Sequence, residues 1–240
     1  MSKNKSSKNT ESTKQTPRRR SVRVKSEHIQ HVKLRQSQER YSKTIENNDV
    51  TFCHGPAGTS KTFTACYTAL KMLAEKKIEQ VILCKPIQES GEKLGFLPGS
   101  IEDKVDPYMQ SYISNIKKIV GEEITERLLE RGVIVFKPLA YMRGDTFDDC
   151  LMILDEAQNA TFKQLMLFIT RMGKTSKTLI TGDVSQYDIP KKSAGLPGFI
   201  KLMEGIKGVE NFEFTEDDIV RAEILKKIVN RYDMWKADNE

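Results

Sequence analysis

The stretch TFCHGPAGTSKTF, Thr51–Phe63, departs by one residue from the phosphate-loop pattern G-x-x-x-x-G-K-[ST]. Gly55 opens the pattern and Lys61-Thr62 close it, but Ser60 stands where the pattern has glycine. The apolar run ahead of Gly55 predicts a strand over Val50–His54, and the run behind it predicts a helix over Thr62–Lys76. Between a strand and a helix, successive main-chain N–H groups can face one concavity, and the helix start adds its positive dipole end. The candidate phosphate-binding residues are therefore Gly55, Pro56, Ala57, Gly58, Thr59, Ser60, Lys61 and Thr62. Lys61 supplies a point charge for the β- and γ-phosphates, and the Thr62 hydroxyl is a candidate Mg²⁺ ligand. Glycine suits position 60 because it accepts positive φ and lets a phosphate approach the main chain. A serine forced into the left-handed region carries roughly 1–2 kcal/mol of strain. Ser60 is therefore expected to weaken or slow the site, not to abolish it.

Downstream, CLMILDEAQNAT reads as a fully apolar strand over Leu151–Asp155 ending in two acids. Asp155 emerges where open α/β sheets bind ligands and is a candidate metal residue. Glu156 can orient or deprotonate an attacking water. The competing reading makes this acidic pair a cap for a helix starting near Asn159–Thr161. A third segment, LITGDVSQ, places Thr181, Asp183 and Gln186 just past another strand end, where an amide can sense a γ-phosphate.

Short apolar runs also predict strands over Val81–Lys85, Val133–Lys137, Thr178–Thr181 and Val209–Phe214. Continuous rather than alternating apolarity suits parallel strands buried on both faces. Helices are expected over Tyr108–Val120, Glu122–Arg131, Ala160–Met172 and Val220–Trp235. In the third of these Phe162, Leu165, Phe168 and Ile169 share a face, and in the last Ile224, Leu225, Ile228 and Val229 form the apolar stripe. The expected class is α/β, a mostly parallel sheet with helices on both faces.

Composition narrows the remaining options. Charged residues make up 30% and hydrophobic residues 38% of the 240, and no apolar run is long enough to span a bilayer. Basic residues near the start have no hydrophobic segment behind them, so a cytoplasmic setting and no membrane partner are expected. Cys53, Cys66, Cys84 and Cys150 form no C-x-x-C pair and read as buried thiols. Residues 1–25 hold nine Lys/Arg against one acid, net +8, which leaves −2 for the rest of a chain whose total is +6. Residues 1–27 thus read as a disordered basic arm, suited to nucleic acid by counterion release or simply solvated.

In their order, the segments GPAGTSKTF, ESGEKLGFLPGSIEDKVDPY, PLAYMRGDTF, ILDEAQNAT, TRMGKTSKTLITGDVSQ and DDIVRAEILKKIV resemble the PhoH-like family of phosphate-loop ATPases, from about Gln38 to Trp235. The resemblance implies a RecA-like P-loop NTPase core, related to the first motor domain of superfamily-one helicases, with ATP and Mg²⁺ as ligands. It makes residues 28–240 a single RecA-like P-loop ATPase domain. It assigns Gln38 to the adenine, Lys61 and Thr62 to phosphate and Mg²⁺, Asp155 and Glu156 to metal and water, and Gln186 to the γ-phosphate. It also implies that Arg221 reaches the phosphates, with Arg143 and Arg171 as further arginines that serve either the site or structural ion pairs. Ser60 departs from the family's glycine.

The resemblance implies an ATPase, helicase-like in its motor, coupled to single-stranded RNA or DNA. One motor domain lacks the cations that two-domain helicases place around the γ-phosphate, so a homo-oligomeric ring such as a hexamer is expected to supply them. The second hypothesis is an ATP-binding switch silenced by Ser60. A third, a small-molecule kinase, fits poorly with the Asp155-Glu156 pair and the GDVSQ segment.

Overall fold

The computed structural model describes residues 24–86, 101–184, 186, 188–190, 193–220, 228, 231, 234 and 235, giving only the helical backbone for 101–108. Six strands, all parallel, build one sheet. They are β1 Val50–His54, β2 Gln80–Cys84, β3 Ile134–Phe136, β4 Cys150–Leu154, β5 Lys177–Gly182 and β6 Val209–Glu213. Each falls within a residue of its expected position. Their spatial order is β3-β2-β4-β5-β1-β6.

Parallel strands must be joined by crossovers, and the helices that make them cover both faces. The helices are α1 Gln36–Asn47, α2 Lys61–Ala74, α3 Ile101–Val120, α4 Glu122–Glu130, α5 Phe162–Ile169 and α6 Leu196–Met203. Strand β4 shows the two-sided burial directly. Leu151 and Ile153 join a cluster with residues of α1 to α4, whereas Met152 and Leu154 join Leu165, Phe168 and Phe199 of α5 and α6. All five residues of β4 are buried, which is why it reads as a continuous apolar run.

Two helices lie outside the expectations. On α1 the buried positions are Gln38, Tyr41, Ser42 and Ile45, a helical spacing in which two of the four are polar. On α6 the Pro197-Gly198 pair reads as a breaker, yet proline in the first turn sacrifices no intrahelical bond. Helix α3 begins at Ile101, ahead of the expected Tyr108. Helix α5 starts two residues later than expected because Thr161 caps it: its Oγ1 accepts the Gln164 N–H, and the Gln164 side chain accepts the Thr161 N–H. Asp155 and Glu156 are therefore not needed as its cap.

Of the expected arm, residues 1–23 lie outside the described residues, while Val24 is already buried and Ser26–His28 form a 3₁₀ turn. The chain is thus packed before residue 27. In the expected last helix Ile228 is 56% exposed rather than part of a buried stripe; Ile224, Leu225 and Val229 lie outside the described residues. All four cysteines are free and buried, and burial pushes the Cys53 thiol up to about 12 and Cys150 to about 11. Among the described residues no helix is long and apolar enough to cross a membrane.

Candidate functional site

Parallel pairing with β5 between β1 and β4 brings the C-terminal ends of three motif-bearing strands to one edge. The loop after β1 is held from behind by β6. The Phe214 N–H donates to the His54 carbonyl at 2.9 Å, and a Cβ on Gly55 would meet the Phe214 oxygen at 2.4 Å. Gly55 is therefore required by a close main-chain approach. Further along, the Val220 N–H donates to the Gly58 carbonyl at 2.8 Å, and Thr59 Oγ1 donates to the Pro56 carbonyl at 3.0 Å.

Ser60 has φ 64° and ψ 33°, the left-handed conformation, immediately before the first residue of α2. The strain expected of a serine at this bend is present. Lys61 folds back across the loop, its Nζ donating to the carbonyls of Gly55 at 2.6 Å and Pro56 at 2.9 Å. A cation is thereby held against the loop beside the N-terminus of α2, groups able to bind a polyphosphate.

Opposite the loop, Thr62 Oγ1 donates to Asp155 Oδ2 at 2.8 Å. Asp155 is 3% exposed, and its Oδ1 accepts the Glu156 N–H at 3.0 Å. Burial pushes its carboxyl above the usual aspartate range. The charge of Lys85, with Nζ 3.9 Å from Oδ2, pulls it back, Glu156 adds to the rise, and the Thr62 hydrogen bond opposes it. A buried carboxylate beside a hydroxyl is a hard-oxygen donor pair that fits Mg²⁺. Among the described residues no group of three or more His, Cys, Asp or Glu side chains could enclose an ion. An ion held by Thr62 and Asp155 would complete its shell with phosphate oxygens and water, as Mg²⁺ prefers.

Glu156 is exposed and also left-handed, with φ 56°. Its Oε2 accepts Gln158 Nε2 at 2.8 Å, while Gln158 Oε1 accepts the Asp183 N–H at 2.9 Å. One buried amide thus ties the acid after β4 to the turn after β5. Gly182 leaves room for it, since a Cβ there would meet Gln158 Oε1 at 2.6 Å.

The other expected site residues divide. Gln38 is 7% exposed, and its Oε1 accepts the Arg35 N–H at 2.9 Å as part of the α1 cap. Ser37 and Arg40 of α1 lie close to the Asp218 carboxyl, so the start of α1 meets the segment that reaches the loop through Val220. Gln186 is exposed on the turn after β5, its N–H donating to the Asp183 carbonyl at 3.2 Å. Arg221 lies outside the described residues. Arg171 serves structure, its Nη1 donating to the Asp145 carbonyl at 3.0 Å and its Nη2 to Thr170 Oγ1 at 3.3 Å. Lys85 and Gln158 carry no expectation from sequence. Lys85 closes an apolar run and Gln158 stands two residues beyond Glu156, signals visible only once β2, β4 and β5 are neighbours.

The chain is similar to several known proteins. A family model described as PhoH-like protein matches residues 31–233. The PhoH-like protein of Bacillus subtilis (strain 168) is 46% identical over 197 residues, covering 82% of this chain and 62% of that protein. The PhoH-like protein of Mycobacterium tuberculosis (strain ATCC 25618 / H37Rv) is 41% identical over 197 residues, covering 82% and 56%. Protein PhoH of Escherichia coli (strain K12) is 33% identical over 200 residues, covering 82% and 56%. The chain therefore spans 56–62% of the length of these relatives. Among solved structures, the Pyrococcus furiosus Hef helicase domain is similar with a TM-score of 0.48 and 14% identity, covering 82% of this chain and 41% of that one. The match of the family model to residues 31–233, with relatives up to 46% identical over 82% of the chain, makes this all-parallel α/β chain a member of the PhoH-like protein family.

Proposed function

We propose that this chain is a Mg²⁺-dependent ATPase that couples turnover to a single-stranded RNA or DNA and works as a head-to-tail ring in the cytoplasm. The observation that carries this reading is the 2.8 Å bond between Thr62 and Asp155, which joins the phosphate loop to the acid-ended strand. The N–H groups from Gly58 to Thr62, with the Lys61 ammonium, would hold the phosphates. Thr62 and Asp155 would hold Mg²⁺, which supplies charge neutralisation at the phosphate oxygens. Glu156 would orient the attacking water and take its proton, with Gln158 fixing one carboxylate oxygen. Gln38 would contact the adenine, and Gln186 and Arg221 the γ-phosphate. A neighbouring copy would supply the remaining cation, a contribution worth on the order of 10³–10⁵ in rate in such sites.

Ser60 favours a second reading, an ATP-binding switch with little turnover, because its left-handed strain sits on the bend that must bind phosphate. Phosphate release, measured with and without single-stranded RNA or DNA, separates the two. The ATPase releases phosphate faster with the polynucleotide and loses this in Lys61→Ala. The switch binds MgATP without release until Ser60→Gly restores it. Failure of the wild-type chain to bind MgATP sinks both.

A further inference from the structure

We propose that the turn after β3 is a platform for a single-stranded nucleic acid, with Tyr141 stacking on a base and Arg143 binding a phosphate. This rests on the nucleic-acid coupling proposed above and names the surface that would carry it.

The turn is rigid from below and bare above. Leu139–Tyr141 form a 3₁₀ turn in which the Tyr141 N–H donates to the Pro138 carbonyl at 3.0 Å. The Met142 N–H donates to the Leu139 carbonyl at 3.3 Å, and the Asp145 N–H to the Met142 carbonyl at 3.1 Å. Leu139 and Met142 are buried in the cluster under α5, at 3% and 0% exposure. Tyr141 between them is 56% exposed, and Arg143 is exposed as well. Among the described residues Arg143 has no ion pair or hydrogen-bond partner.

A single exposed tyrosine needs no explanation. Here the aromatic is two residues from an unpartnered guanidinium, and both are held on an anchored turn. The acid beside them is already engaged. Asp145 is ion-paired with Lys137, whose ammonium lies 5.3 Å over the Phe147 ring, so its charge does not oppose an incoming phosphate.

Position adds the third argument. In a parallel sheet the end of β3 lies on the same edge as the loop after β1. Two strand spacings, about 10 Å, separate β3 from β4, so the turn after β3 leaves the sheet at the same end as Asp155. A polymer on it would run beside the nucleotide site. An exposed aromatic face takes any unpaired base, whereas a duplex keeps its base faces inside the stack. The partner is therefore a single strand read with little sequence preference.

The test uses the full chain without nucleotide and a fluorescein-labelled oligouridylate of about 12 nucleotides, followed by anisotropy. Tyr141→Ala should weaken binding about 5- to 150-fold, while Tyr141→Phe should stay within about twofold. Arg143→Ala should weaken binding and lower the salt slope by about one. In parallel, binding of a fluorescent ATP analogue should be unchanged in the two Tyr141 variants. Wild-type-like oligonucleotide affinity in Tyr141→Ala overturns the platform, as does a wild-type chain that binds no oligonucleotide. A change in sedimentation with oligonucleotide affinity intact also overturns it, making the turn a contact between copies. If the wild type fails to bind the analogue yet oligonucleotide binding depends on Tyr141, the ATPase reading falls and the platform stands.

Discussion

The Thr62 hydroxyl and the Asp155 carboxylate meet at 2.8 Å across 93 residues of chain. Thr62 stands in the first turn of α2, after β1, and Asp155 follows β4, and β5 lies between those two strands. The hydroxyl crosses the gap because α2 starts directly at the loop, aiming its first turn at the end of β4. The same geometry leaves a buried carboxylate whose nearest cation, Lys85, stands 3.9 Å away, and under the proposed function a divalent ion would complete its charge balance. Asp155→Asn should accordingly remove the Mg²⁺-dependent part of nucleotide affinity. Titration of a fluorescent ATP analogue with and without Mg²⁺ checks this, and an undiminished Mg²⁺ effect in the variant counts against the assignment.

Ser60→Gly should raise the thermal midpoint slightly. Relief of the left-handed serine contributes roughly 1–2 kcal/mol. The extra chain entropy of glycine offsets about 0.5–1 kcal/mol of it. The net, about 0–1.5 kcal/mol, corresponds to a rise of up to roughly 6 °C for a chain of this size. Ser60→Val should move the midpoint the other way, since a β-branched residue tolerates φ near 64° poorly.

Gln158 makes two bonds that can be separated. At neutral pH Gln158→Glu keeps an acceptor for the Asp183 N–H but sets a second, buried carboxylate against Glu156, so it should lose turnover at least about tenfold and cost more stability than Gln158→Leu. Gln158→Leu loses both and leaves a buried N–H unpaired, at a cost of about 1–3 kcal/mol. Denaturation midpoints beside kcat distinguish them; equal destabilisation in both variants would show the Glu156 contact to be incidental.

Lys85 offers a sign change. Its ammonium donates to Ser111 Oγ at 2.9 Å, lies 5.3 Å over the Tyr112 ring and faces Asp155. Lys85→Met should destabilise the metal-free protein by about 1.5–3 kcal/mol, the range for a hydrogen bond to a charged group. It should also enlarge the stabilisation gained from MgATP, because one competing cation is gone. Thermal midpoints with EDTA and with MgATP test both; a smaller MgATP gain in the variant contradicts the countercharge role.

Glu46 governs the acid side of stability. Its burial alone would raise the carboxyl, but hydrogen bonds from Lys71 at 2.6 Å and Lys77 at 2.9 Å prevail and hold it below the usual glutamate range. A depressed acid contributes stability above its unfolded pKa and loses it as pH falls through the folded value. Glu46→Gln should therefore cost about 1–2 kcal/mol at neutral pH, with the gap closing in acid. Urea denaturation at several pH values measures this; a constant gap down to low pH excludes the ion pairs as its source.

Legibility differed between elements for identifiable reasons. β4 was plain because burial on both faces makes every position apolar. Helix α1 was hidden because Gln38 and Ser42 hold two of its four buried positions, Ser42 accepting from Thr68 Oγ1 at 2.9 Å and Gln38 serving the cap. Helix α6 was hidden by Pro197 and Gly198, which mark a break in mid-helix but not at a helix start. Ile228, apolar and at the spacing of a buried stripe, is nevertheless exposed, since periodicity names a face without naming what covers it.

By itself the chain's residue order determined the strands, the glycine-bearing bend after β1 and the acids after β4, because each depends on burial pattern or main-chain chemistry within a few residues. Only the tertiary structure decided that β5 separates β1 from β4, that Gln158 joins Glu156 to Asp183, and that Lys85 faces Asp155. Strand order is set by crossovers and long-range pairing, whose energies involve residues far apart along the chain and leave no periodic mark on it.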